Sequence, residues 1–209
     1  MKRFLIIMLS IMLLMCVSSC SSKSRIEKLD DNDPLLTADG KVLMTAGEFR
    51  QLMTEQELSK EYLGTETKKE KDLFIYQAEL ALLSYFAEQN GIEYDKSLLE
   101  EEYDAHLYEI QDETAYPGQL AFYTALKKEF RMTASEMKEW SVSQSYKDYN
   151  MKQLIADIAE IYGNITDGSI MKEYIQSNLL FMTEEADLTI GYPGVASNDF
   201  TYNEILEMN

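Results

Sequence analysis

Residues 68–90 constrain this chain more than any other segment. Leu73, Tyr76, Leu80, Leu83 and Ala87 recur at helical spacing, and Phe74, Ile75, Leu82 and Phe86 widen that face well beyond a narrow stripe. A helix apolar over so wide an arc must be surrounded by other elements. The segment therefore predicts a central helix with a fold built around it. Asn90-Gly91 supplies a left-handed stop at its end. Nine Gly and three Pro in 209 residues are too few for a strand-dense, turn-rich architecture. The neighbours of the central helix are expected to be helices as well.

Those neighbours have their own signals. Val42-Leu43-Met44 suits a short strand after the Asp39-Gly40 turn. Thr45 and Glu48 then stand at capping-box spacing before Phe49, Leu52, Met53 and Leu58. Asp95 can cap a helix on which Leu99, Tyr103, Leu107 and Ile110 share a face. Pro117 marks the start of another through Leu120, Tyr123, Leu126 and Phe130. Thr133 and Glu136 form a second capping box. It opens a long helix to Tyr162, clearly periodic through Met151, Leu154, Ile155 and Ile158 and less so around Met137, Trp140 and Val142. A last helix is expected over residues 167–180. Leu188, Ile190 and Tyr192 alternate as one short strand would. The expected fold class is mainly α with one or two short strands.

The N-terminus reads as an address rather than as structure. Lys2 and Arg3 precede an apolar run over residues 4–17, too short for a comfortable bilayer span, and small residues follow. Val17-Ser18-Ser19-Cys20 resembles the bacterial lipobox. That resemblance implies a lipoprotein signal peptide over residues 1–19 and a lipidated Cys20, placing the protein in the bacterial cell envelope, outside the cytoplasm and tethered to the membrane. Several acyl chains on one residue hold far better than one, since each buried methylene contributes about 0.8 kcal/mol. Cleavage there removes Cys16, so no disulfide is expected. Residues 20–36, polar and rich in Ser, Lys and Asp, are expected to be a flexible tether. The domain is expected over residues 37–180, with residues 181–209 as a tail.

Charge excludes one class of partner. The chain carries 37 acidic and 19 basic residues, for a formal net charge of -18, and such a field repels nucleic acid. Asp30-Asp31-Asn32-Asp33 lacks the glycine and the distal Glu of a calcium loop, so no metal is expected. There is no glycine-rich phosphate loop and no cofactor is implied. The single histidine, His106, reads as a helix-edge residue beside Glu102. No Ser or Cys constellation supports a catalytic triad.

Three segments, in order, resemble the N-terminal chaperone region of the SurA/PrsA-type foldases, related in design to the trigger-factor substrate-binding domain. They are Asp39-Gly40-Lys41-Val42-Leu43-Met44-Thr45 with Glu48-Phe49; the helix end Glu88-Gln89-Asn90-Gly91-Ile92-Glu93-Tyr94-Asp95; and Leu126-Lys127-Lys128-Glu129-Phe130-Arg131-Met132-Thr133 with Glu136-Met137. The resemblance covers residues 37–180. It implies ATP-independent binding of unfolded or nascent secreted and envelope polypeptides. Family members often continue into a parvulin-type prolyl isomerase domain with active-site histidines. Here 29 residues follow Leu180 and His106 lies upstream, so no isomerase chemistry is expected.

Met and Tyr suit a surface that adapts to many clients, although most such residues in any chain serve the core. Tyr103, Tyr108, Tyr116, Tyr123, Trp140, Tyr146 and Tyr149 cluster in the middle of the sequence and are the candidate client-binding residues. The rival expectation is a structural or adaptor lipoprotein that holds one dedicated envelope partner.

Overall fold

A computed structural model describes residues 25–208. The fold is mainly helical with a small antiparallel sheet. A 3-10 turn at Arg25–Lys28 leads to β1 (Pro34–Ala38) and β2 (Lys41–Thr45), joined by the Asp39-Gly40 turn. Helices α1 (Ala46–Leu63), α2 (Glu70–Gln89), α3 (Lys96–Glu109), α4 (Gln119–Glu129), α5 (Ala134–Ile161) and α6 (Gly168–Glu185) follow. Strand β3 (Leu188–Ile190), a second 3-10 turn at Ser197–Asp199 and the short α7 (Asn203–Met208) complete the described chain. Among the described residues, no helix is long and apolar enough to cross a membrane.

Both capping boxes form. The Thr45 hydroxyl accepts from the Glu48 amide at 3.2 Å, and the Glu48 carboxylate accepts from the Thr45 amide at 2.7 Å. Thr133 and Glu136 repeat the pair at 3.2 and 2.7 Å. Each box satisfies donors that the first helical turn would otherwise leave unpaired. Helix α4 starts at Gln119, two residues after the proline, because Gly118 takes a left-handed conformation at φ 79°. A Cβ at Gly118 would stand 2.5 Å from the Tyr62 carbonyl oxygen, so glycine lets α4 close onto the end of α1.

Helix α2 is central, as its wide apolar face requires. Residues 78–87 are buried without interruption, Leu82 and Leu83 completely. Around it lie the sheet, α6 and the second half of α5 through Met151, Leu154, Ile155 and Ile158. The first half of the same α5 helix runs on into a second, smaller cluster. There Leu99, Val142 and Tyr146 pack with Tyr94, Tyr103 and Tyr149. Together with the pairing of α1 against α4, this second cluster makes a lobe distinct from the main core.

Three expectations are corrected. Residues 20–36 are not tether throughout: Ile26, Leu35 and Leu36 are buried, and Pro34–Ala38 is the central strand of a sheet ordered β2-β1-β3. The register of β1 against β2 shifts between Pro34 and Leu36 and again before Thr37. That bulge turns both Leu35 and Leu36 inward and abolishes the alternation by which a strand is recognised. The last long helix continues five residues past Leu180. Residues beyond it are no tail. β3 forms where the alternation indicated, pairing Leu36 with Ile190 and Ala38 with Leu188. Tyr192, Phe200, Tyr202 and Ile205 then enter the main core, with Tyr192 stacked on Phe74 at 4.2 Å between ring centroids.

The closing segment is held by a buried carboxylate. Glu79 of α2, 3% exposed, accepts hydrogen bonds from the Thr201 and Tyr202 amides at 2.6 and 2.8 Å. Tyr202 stands in the left-handed region at φ 57°, uncommon for a bulky residue, and its hydroxyl shares a hydrogen bond with Thr183.

Candidate functional site

The second lobe is hollow. Helices α1, α3, α4 and α5 surround an open cavity of about 320 Å³. That lies near the lower end of small-ligand pockets, which run from about 300 to 1,000 Å³. The volume suits one or two side chains.

Each wall follows from helical periodicity. Helix α3 contributes Leu99, Tyr103 and His106, spaced to share one face, together with Glu102. Helix α4 contributes Phe122, Tyr123 and Leu126, and α5 contributes Met137 and Trp140 with Ser141 and Ser145. Helix α1 adds Glu55, a second carboxylate in addition to that of Glu102. The aromatic walls are braced. The Tyr103 and Tyr123 hydroxyls share a hydrogen bond of 2.8 Å, and Phe130 meets Trp140 edge-on at 5.4 Å between centroids.

The electrostatics follow from burial. Desolvation by burial raises the Glu55 carboxyl to about 7. Burial, then the hydrogen bond to Tyr123, pushes the Tyr103 phenol further above its ordinary value, so it stays neutral and hydrogen-bonding. Glu102 is exposed and accepts from the Tyr149 hydroxyl at 3.1 Å, which raises the tyrosine. Among the described residues no hydrogen bond joins Ser141 or Ser145 to His106, Glu55 or Glu102. What the cavity does offer is aromatic contact surface and the two carboxylates of Glu55 and Glu102. Among the described residues there is also no group of three His, Cys, Asp or Glu placed to hold a metal ion.

Of the seven aromatic candidates, Tyr103, Tyr123 and Trp140 come together here. The other four stand elsewhere. Tyr146 is buried on another face of α5, with the Lys96 ammonium 4.4 Å from its ring centroid. Tyr149 stacks on Tyr94 at 4.4 Å and supports the lobe from outside. Tyr116 lies edge-on to His106 at 6.4 Å, and its hydroxyl donates to Glu109 at 3.3 Å. Tyr108 is 83% exposed and does not line the cavity. Cys20 lies outside the described residues.

Residue types alone missed Glu55. One signal for it existed: Glu55 stands three residues after Leu52 and three before Leu58, within the apolar spacing of α1. Leu126 and Met137 are buried, as helical periodicity suggested for Leu126, and they line the cavity as well, together with Phe122.

No protein-family model matches this chain, and no curated protein or solved structure does either.

Proposed function

We propose that this protein is a lipid-anchored envelope protein, tethered through Cys20, whose helical domain reversibly captures non-native secreted or envelope polypeptides without ATP and without isomerase chemistry. One observation carries the reading: Tyr103, Tyr123 and Trp140 line a single open cavity together with Phe122, Leu126 and Met137. Soft and amphipathic walls accept side chains of different shape at low cost. The lipobox resemblance supports the address, and the resemblance to the foldase chaperone region supports the class of client.

Trp140 is the only tryptophan in the chain, so its fluorescence reports on the cavity. The full chain should suppress aggregation of several unrelated unfolded proteins at near-stoichiometric ratios, with a shift in Trp140 emission. Changing Tyr103 and Tyr123 together to Ser should weaken suppression several-fold while helical circular dichroism persists. Suppression of none of them, with emission unmoved, refutes the reading.

A second reading has its own observation. Ile170, Tyr174 and Phe181 share one face of α6 and are 43%, 45% and 61% exposed, and Ile161 nearby is 77% exposed. An apolar stripe of this kind suits an adaptor docked on one dedicated partner. Stoichiometric recovery of a single envelope protein, lost on changing Phe181 to Ser, would favour it.

A further inference from the structure

Glu55 works against the capture of a purely apolar side chain. It is partly buried, and among the described residues no group donates a hydrogen bond to its carboxylate. A leucine or phenylalanine pushed into the cavity would strip water from that carboxylate and offer nothing in exchange, which is costly. A cation has the opposite effect, since it supplies the counter-charge the site lacks.

Of the other lining side chains that can carry charge, Glu102 agrees in sign and the exposed His106 is the one basic group. Glu102 adds a second carboxylate, more exposed than Glu55 and therefore nearer the solvent. No Lys or Arg is among the lining residues. Tyr103, Tyr123, Phe122 and Trp140 present aromatic rings, whose faces attract ammonium and guanidinium groups. Leu107, half-buried at the cavity wall with Leu126 and Met137 packed behind the lining, provides apolar surface for an aliphatic stem, as long basic side chains require.

We infer that the cavity takes a Lys or Arg side chain of a bound polypeptide, its stem against the aromatic and aliphatic walls and its charged head at Glu55. The inference rests on the capture reading and gives it a selectivity: segments in which a basic residue is flanked by apolar ones.

The test uses the full chain at pH 8 and three short capped peptides of one apolar sequence. Their central residue is lysine, the uncharged norleucine of similar shape, or glutamate. Trp140 emission and calorimetry follow binding. The lysine peptide should bind about tenfold or more tighter than the norleucine peptide, as for a charge-assisted contact, and the glutamate peptide weakest. Glu55→Gln should bring the lysine peptide down to the norleucine value, and circular dichroism checks that this near-isosteric variant keeps its fold. Equal binding of all three peptides to the unaltered protein overturns the inference and leaves capture standing. Binding of none overturns both. Butylamine alone binding as tightly as the lysine peptide overturns the polypeptide assignment in favour of a small amine.

Discussion

Replacing Glu79 by Ala tests how the closing segment is held. The Tyr202 amide is buried and its acceptor is the Glu79 carboxylate. Alanine leaves that donor unpaired, which costs about 1–3 kcal/mol, and removes a second, partly exposed bond to the Thr201 amide. The left-handed backbone at Tyr202 then loses one of its constraints, and such conformations persist only where the surroundings enforce them. Against these losses stands relief from burying an acid, whose carboxyl is raised by desolvation although the two amides pull it down. The net expectation is about 3 kcal/mol of destabilisation, combining the unpaired donor with the lost charged hydrogen bond. For a domain of this size that lowers the melting temperature by roughly 6–12 °C. Glutamine keeps a carbonyl acceptor in the same place and should cost less than about 1 kcal/mol. Thermal and urea denaturation followed by circular dichroism measure both variants. An alanine variant within about half a kcal/mol of the parent, or a glutamine variant as damaged as alanine, would refute the account.

Other outcomes follow from single residues. Glu55, raised to about 7, binds more protons folded than unfolded between pH 4.5 and 7. Stability should therefore fall as pH rises through that window, by as much as about 3 kcal/mol, and urea midpoints at pH 5 and 8 should differ less in Glu55→Gln. Leu83, fully buried on α2, should cost about 2–5 kcal/mol on replacement by Ala; a loss below about half a kcal/mol would mean that α2 is not central. Cys20→Ala should move the protein out of the detergent-extracted membrane fraction or leave an unprocessed precursor, and normal processing with membrane retention would remove Cys20 as the anchor.

Helices were legible where local chemistry acts alone. Thr45 with Glu48, and Thr133 with Glu136, fixed two starts to the residue because a capping box is written within four positions. Strand β1 was hidden because its bulge buries two successive leucines and Pro34 opens it, so the segment lacks period-two patterning. The contribution of Phe200, Tyr202 and Ile205 to the core was hidden for another reason. Their segment is irregular, and its partners, Glu79 and Thr183, lie 123 and 19 residues away from Tyr202. The site divided in the same way. Residue type found the aromatics of the middle segment, whereas only packing separates Trp140, which faces the cavity, from Tyr146 six residues later on the same helix, which does not.

The pairing of β1 with β3 has a consequence for the order in which the molecule can be completed. Leu36 meets Ile190 across nearly the whole described chain. Contacts so distant along the chain carry a large closure entropy and slow the final step of folding. A chain leaving the ribosome displays one edge of β1, and the apolar surface of Leu35, Phe49 and Phe74, until the residues around Tyr192 and Tyr202 have been made. Helices α1 to α5 can form and associate earlier, because their contacts with one another are complete by residue 161. The second lobe is therefore expected to be assembled while the main core is still open, and a ribosome-stalled chain ending before residue 188 should expose that core to proteases while protecting α3 and α4.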